Sequence, residues 1–152
     1  MVIVEPQAEQ GGVRRHRRST WMSAVPLLLI IVLAYVAFAA GGADFNLPRF
    51  SPVLPSGGTW QITLGDGLLA LALFVLFFEI LKSTRTGGNS VVDHALSLIV
   101  FVICLILFLI WPLAATSVFF LITLTTLIGV IAGFSVTIRA ARRDYSVGGG
   151  DS

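Results

Sequence analysis

Residues 91–138 read VVDHALSLIVFVICLILFLIWPLAATSVFFLITLTTLIGVIAGFSVTI, and Asp93 is the one formally charged residue among them. A hydrocarbon layer of about 30 Å is crossed by about 20 helical residues rising about 1.5 Å each, so this stretch holds two crossings. The short link 113–115 divides it into spans of about 91–113 and 116–138, and so tight a link forces an antiparallel hairpin. Neither half alternates as a strand would. Backbone groups in lipid must bond within their own segment, so both halves are expected to be helices. Asn89 or Ser90 is placed to cap the first of them. Asp93, three residues after Ser90, completes a weak capping box.

Two further apolar runs lie upstream. Residues 62–81 read ITLGDGLLALALFVLFFEIL, and residues 21–40 read WMSAVPLLLIIVLAYVAFAA, ended by Gly41 and Gly42. Composition points the same way. Of 152 residues, 56% are hydrophobic and 12% charged, and the mean hydropathy is +0.92. A soluble domain runs at about 45–50% apolar and about 25% charged, so lipid must be part of this chain's solvent. The expected fold is an all-α polytopic membrane protein with four transmembrane helices, N-in/C-in. A disordered basic cytoplasmic N-terminus (1–19) precedes the membrane domain (20–141), and a disordered cytoplasmic tail (142–152) follows it.

The charges set the orientation. Arg14, Arg15, Arg17 and Arg18 precede the first run, Lys82 and Arg85 separate the second from the third, and Arg139, Arg142 and Arg143 follow the fourth. With four spans all nine fall on one side and Arg49 alone on the other, which the positive-inside rule reads as cytoplasmic termini. Trp21 then sits at the inner boundary, with Trp60 and Trp111 at the outer one. A competing reading takes the first run as an export signal, with Arg17-Arg18 faintly like a twin-arginine signal and Ala37-Phe38-Ala39 as the cleavage site. Signal cores run about 7–15 residues, whereas this one continues for about 17 from Ala24, which favours an uncleaved helix. A net charge of +2 is too small to point to nucleic acid.

The sizeable aqueous feature is the outer loop, residues 41–61. Pro48, Pro52 and Pro55 forbid a regular helix there and favour extended or turning backbone. Its apolar side chains suit either a loop lying on the membrane–water boundary or a docking surface for a partner.

Polar residues within the runs are where chemistry would reside, because ionisable groups in membrane helices are costly. Gly65, Ala72 and Glu79, spaced by seven, share one helix face, and its small residues admit a neighbouring helix. Three roles are open to Glu79: boundary anchor with the cytoplasmic cations Lys82 or Arg85, structural pairing inside the bundle, or proton and ion handling. An ionised Glu79 is expected to be held by Lys82, Arg85 or His94. His94 begins the stripe His94, Ser97, Phe101, Cys104 and Phe108 at the same level, so Glu79 and His94 form a possible buried polar pair. Gly129 and Gly133 make a GxxxG helix-packing seam on a face shared with Thr116, Thr123, Thr126 and Thr137. No catalytic residues, metal site or cofactor are expected. The other histidine, His16, lies in the basic N-terminus and leaves a haem one axial ligand short, and the single Cys104 has no second thiol.

The segments FFEILKSTRTG (77–87), Asp93-His94 with Leu96-Ser97, AGFSV (132–136) and AARRD (140–144) resemble a group of small four-helix membrane proteins of alphaproteobacteria. The likeness covers roughly residues 20–145. It implies a multi-pass location in the bacterial inner (plasma) membrane and carries no catalytic residue with it. The plan is also similar to small membrane subunits of tripartite transporters in architecture alone. Small multidrug transporters carry a glutamate in their first helix, whereas residues 23–40 hold no acidic residue. The expected function is that of a non-enzymatic accessory or scaffold subunit of a larger membrane assembly. Its partners would be the lipid bilayer and other membrane subunits or a second copy, with no nucleic acid. The alternative is a small proton- or ion-coupled transporter or channel, dimeric, using Glu79 and His94.

Reporter fusions at Gly12, Gly88 and Gly149 should read cytoplasmic and one at Gly57 periplasmic. A periplasmic reading at Gly88 would mean that a span has been miscounted.

Overall fold

The computed structural model describes residues 25–84 and 90–147, with side chains at 90, 91, 137 and 139–147 outside the description. The N-terminal arm expected to be disordered, Trp21 and Arg85 lie outside the described residues. In chain order the elements are α1 (Leu28–Ala40), β1 (Pro48–Phe50), β2 (Ile62–Thr63), α2 (Leu64–Ser83), α3 (Ser90–Ile110), a 3-10 turn (Pro112–Ala114) and α4 (Ser117–Val147). α2, α3 and α4 are long and apolar enough to cross a membrane, whereas α1 is a shorter apolar helix. At 13 residues α1 extends for about 20 Å.

Successive helices run antiparallel. One end of the bundle gathers Val25, Leu28, Glu79, Lys82, Asp93 and Gly133. The opposite end gathers Phe45, Gly65, Leu113 and Thr116 around Tyr35 and Val118. α4 packs chiefly against α3 and α2, and α1 against α2. Large apolar side chains such as Leu73, Phe74, Ile106 and Ile131 cover the outside.

The boundaries differ from the apolar runs wherever capping, which hydropathy does not see, decides them. The run 62–81 opens with β2, and α2 starts at Leu64. Thr63 caps α2, accepting from the Asp66 N–H at 3.1 Å, while Asp66 accepts from the Thr63 N–H at 2.9 Å, a reciprocal capping box. The expected span 91–113 resolves into α3, ending at Ile110, and the 3-10 turn. α4 continues past 138, and past the start of the tail expected to be disordered, to Val147. α1 begins at Leu28 and ends in a Schellman motif. Ala43 N–H bonds Phe38 O, Gly42 N–H bonds Ala39 O, and Gly42 takes the left-handed conformation (φ 75°) that a side chain would oppose.

The outer loop is a short antiparallel hairpin. Pro48 pairs with Thr63, and Phe50 with Ile62 across a register shift, while Val53 bridges Thr59 nearer the tip. The core centres on Tyr35, which is fully buried. Its ring stacks on Phe45 (centroids 4.4 Å apart, planes within 8°) and tilts against Phe119 at 4.7 Å. One chain of hydrogen bonds satisfies every proton. Phe119 N–H bonds Thr116 Oγ1 at 3.1 Å, the Thr116 hydroxyl lies 2.6 Å from the Tyr35 oxygen, and Tyr35 donates to Leu113 O at 3.0 Å. Thr123, Thr125 and Thr126 donate to carbonyls of their own helix, so no buried side-chain N or O among the described residues lacks a partner.

Tyr35→Phe should leave Leu113 O and the Thr116 hydroxyl short of a partner and cost about 1–3 kcal/mol. It is read as a fall in melting temperature in detergent, against near-neutrality for the outward-facing Leu33→Ala.

Candidate functional site

The ionisable side chains Glu79, Lys82, Asp93 and His94 gather at the end where α1 starts. Glu79 lies in the last turns of α2, and its two carboxylate oxygens go to different helices. Oε2 accepts from the backbone N–H of Leu28 at 3.1 Å, and Oε1 lies 3.1 Å from Ser97 Oγ on α3. A helix N-terminus leaves its first N–H groups without intrahelical partners, and α1 has no side-chain cap of its own. Glu79 supplies that acceptor from 51 residues away, and its negative charge suits the positive end of the helix dipole. One carboxylate therefore ties α1, α2 and α3 together.

Ser97 refines the chemistry. Its hydroxyl also lies 3.1 Å from Asp93 O, so one proton faces two acceptors. If the group at position 79 brought its own donor toward Ser97, the serine proton would go wholly to Asp93 O and every bond would survive. Around this core Lys82 Nζ reaches Asp93 at 3.9 Å and Val25 O at 3.4 Å. At this exposure the Lys82–Asp93 pair contributes little to stability.

Among the described residues the Glu79 carboxylate bonds a backbone amide and a serine, while Arg85, one of its expected partners, lies outside the described residues. His94 is buried elsewhere in the same layer, with its ring 5.4 Å from that of Phe134 and pressed against Gly133. A Cβ added at Gly133 would fall 2.5 Å from His94 Nδ1, so the glycine makes room for the imidazole. Gly129 faces Leu28 and Leu76, where an added Cβ would lie 3.3 Å from each. Gly65 lies under Val118, with an added Cβ 2.6 Å from its Cγ2, and Ala72 is fully buried in the core. Cys104 is a free, buried thiol on the same side of α3 as His94 and Val100.

A second candidate is an open depression of about 630 Å³ at the opposite end, between the segment after α1 and the α3–α4 turn, with Asp44, Asn46, Thr116 and Ser117 on its rim. Asp44 is engaged by its own turn, accepting from the Asn46 N–H at 2.9 Å. Among the described residues no three of His, Cys, Asp and Glu gather within reach of one metal ion. Sequence reasoning missed Tyr35 and the Leu28 amide. A backbone donor has no side-chain signature, and Tyr35 reads as one more apolar residue in its run.

Comparison with protein-family models, curated proteins and solved structures finds no match for this chain.

Glu79→Gln should be mild. Its amide can donate to Ser97 while its oxygen keeps the Leu28 N–H. Glu79→Ala, which leaves that N–H bare, should cost about 1–3 kcal/mol. In thermal melts Glu79→Ala should combine non-additively with Ser97→Ala and additively with His94→Leu. The reverse pattern would restore the Glu79–His94 pair.

Proposed function

We propose that this chain is a four-span, multi-pass protein of the bacterial inner membrane with both termini cytoplasmic, acting as a non-enzymatic accessory or scaffold subunit of a larger membrane assembly. The observation that carries the reading is the engagement of Glu79, an acidic residue between apolar helices. Both of its oxygens serve to hold helices. A coupling carboxylate has to exchange its ion or proton with a pathway, whereas this one acts as a helix cap. Thr123, Thr125 and Thr126 of α4 likewise spend their hydroxyls on their own backbone. The apolar exterior suits lipid and neighbouring membrane chains alike. The reading is supported by the antiparallel order of the described helices and by the sequence positions of Lys and Arg, nine of ten of which fall on one side when four crossings are taken.

The test is purification of the full chain from its own membranes in a mild detergent. Other membrane chains should co-elute with it in fixed ratio, and Glu79→Gln should keep them. Recovery of the chain alone or as a self-dimer, with a proton- or ion-linked flux in liposomes abolished by Glu79→Gln, would overturn the scaffold reading in favour of a small transporter.

A further inference from the structure

Outside the bundle the β1–β2 hairpin exposes bulky apolar side chains in ordered backbone. Cross-strand partners project from the same face of a two-stranded ribbon, as do residues two apart on one strand. Phe50 is the partner of Ile62, and Trp60 lies two residues before Ile62, so these three share a face. Phe50 is 64% exposed and Trp60 53% exposed. Gln61, between Trp60 and Ile62, falls on the other face and is exposed, and Arg49 is exposed at the register shift before Phe50. Backbone bonds hold the two arms of the ribbon together. Trp60 N–H bonds Pro52 O at 2.9 Å, Leu54 N–H bonds Gly58 O at 2.8 Å, and Gly57 turns the tip with φ 83°. Its base is fixed to the bundle through the Gly65 N–H to Phe45 O bond at 3.1 Å, beneath the Tyr35–Phe45 stack.

We propose that this hairpin lies in the interfacial layer of the phospholipid leaflet around the bundle, with Phe50, Trp60 and Ile62 turned to the lipid and Gln61 to the headgroups and water. The inference rests on α2–α4 being membrane spans. Its occupant follows from continuity. Thr63 is both the end of β2 and the cap of α2, so the aromatic face passes without a linker into the first turn of an apolar helix of 20 residues. That helix, about 30 Å long, matches the hydrocarbon thickness. Its first turn therefore stands at the boundary, the level at which tryptophan concentrates in membrane proteins. Charge agrees with phospholipid. Between Leu47 and Gly65 there is no acidic residue, and Arg49 is the single cation, able to reach lipid phosphate.

The test is nitroxide labelling of the full chain in phospholipid bilayers on a Cys104→Ala background. Labels are placed at Phe50→Cys, at Gln61→Cys and, as a control for the spans, at Leu73→Cys on the outer face of α2. The expected result is preferential oxygen access at 50 and 73 and preferential access of a water-soluble nickel chelate at 61. Chelate access at 50 with oxygen access at 73 overturns the hairpin proposal alone, placing the ribbon in water. Protection from both reagents at 50 overturns it in favour of a protein cover. Chelate access at 73 overturns the spans and the hairpin together. Against the chance that a label displaces Phe50, Trp60 is read with no cysteine added, in a Trp21→Phe/Trp111→Phe chain. Quenching by lipids brominated near the glycerol and little quenching by iodide is expected, and the opposite pattern overturns the proposal.

Discussion

The backbone N–H of Leu28 must find an acceptor, and where water is excluded that requirement governs the rest of the bundle. Each helix start leaves donors unused, and an unpaired amide in hydrocarbon costs several kcal/mol. The chain answers differently at each start. α2 has the local Thr63–Asp66 box, and α4 has Thr116, whose oxygen takes the Phe119 N–H. α1, beginning just after Pro26, has no capping side chain of its own and takes Glu79 from α2. An acceptor so distant in sequence fixes where α1 begins, how close it lies to α2, and, through Ser97, where α3 stands. At the far end the Tyr35 hydroxyl does the same for the α3–α4 turn. α1 is thus pinned at both ends by single polar groups, with an apolar middle of Ile31, Val32 and Tyr35 carbon between them.

This economy of polar groups bears on function. A carboxylate in a membrane helix is by default a functional candidate, but that default weakens when both oxygens have structural donors. The network can also accept a neutral group at position 79, because Ser97 has a second acceptor in Asp93 O. A site tolerant of its own neutralisation does not need to change shape when charge changes, which is the behaviour of a structural joint. The same reasoning applies to the α4 threonines. A hydroxyl bonded to the carbonyl one turn back has no donor left for a neighbour, so helix contacts there rest on close approach of the kind Gly129 and Gly133 permit.

Much of the architecture was legible in the residues, and the limits have definite causes. The apolar runs locate α2, α3 and α4 because span length and hydropathy are summed quantities, insensitive to any one residue. The stripe through His94 and Cys104 is readable because helical spacing fixes a face, and both residues are buried. Boundaries were not readable in the same way. Ile62 and Thr63 extend the apolar run and so hide the Thr63–Asp66 box inside it, while the Ser90 side chain of the expected Ser90–Asp93 box lies outside the described residues. The ribbon has strands of three and two residues among prolines, too short for alternation to register. Charge-pair logic names only side chains as partners for Glu79, here Lys82, Arg85 and His94, of which Arg85 lies outside the described residues. The donor was a main-chain amide that any residue at position 28 would supply.

Unequal helix lengths complete the argument. α2 and α3, with 20 and 21 residues, each extend for about 30 Å, whereas α4 with 31 extends for about 46 Å. Starting at the same end as the Tyr35 layer, α4 uses residues 117–138, about 33 Å, to traverse the thickness that α2 and α3 define. The next residue is Arg139, followed by Arg142 and Arg143. The helix therefore outlasts the apolar sequence, and Arg139 follows about 9 Å beyond Gly133, the residue that meets His94. The helix does not stop where the apolar sequence stops, because its backbone bonds do not depend on apolar side chains.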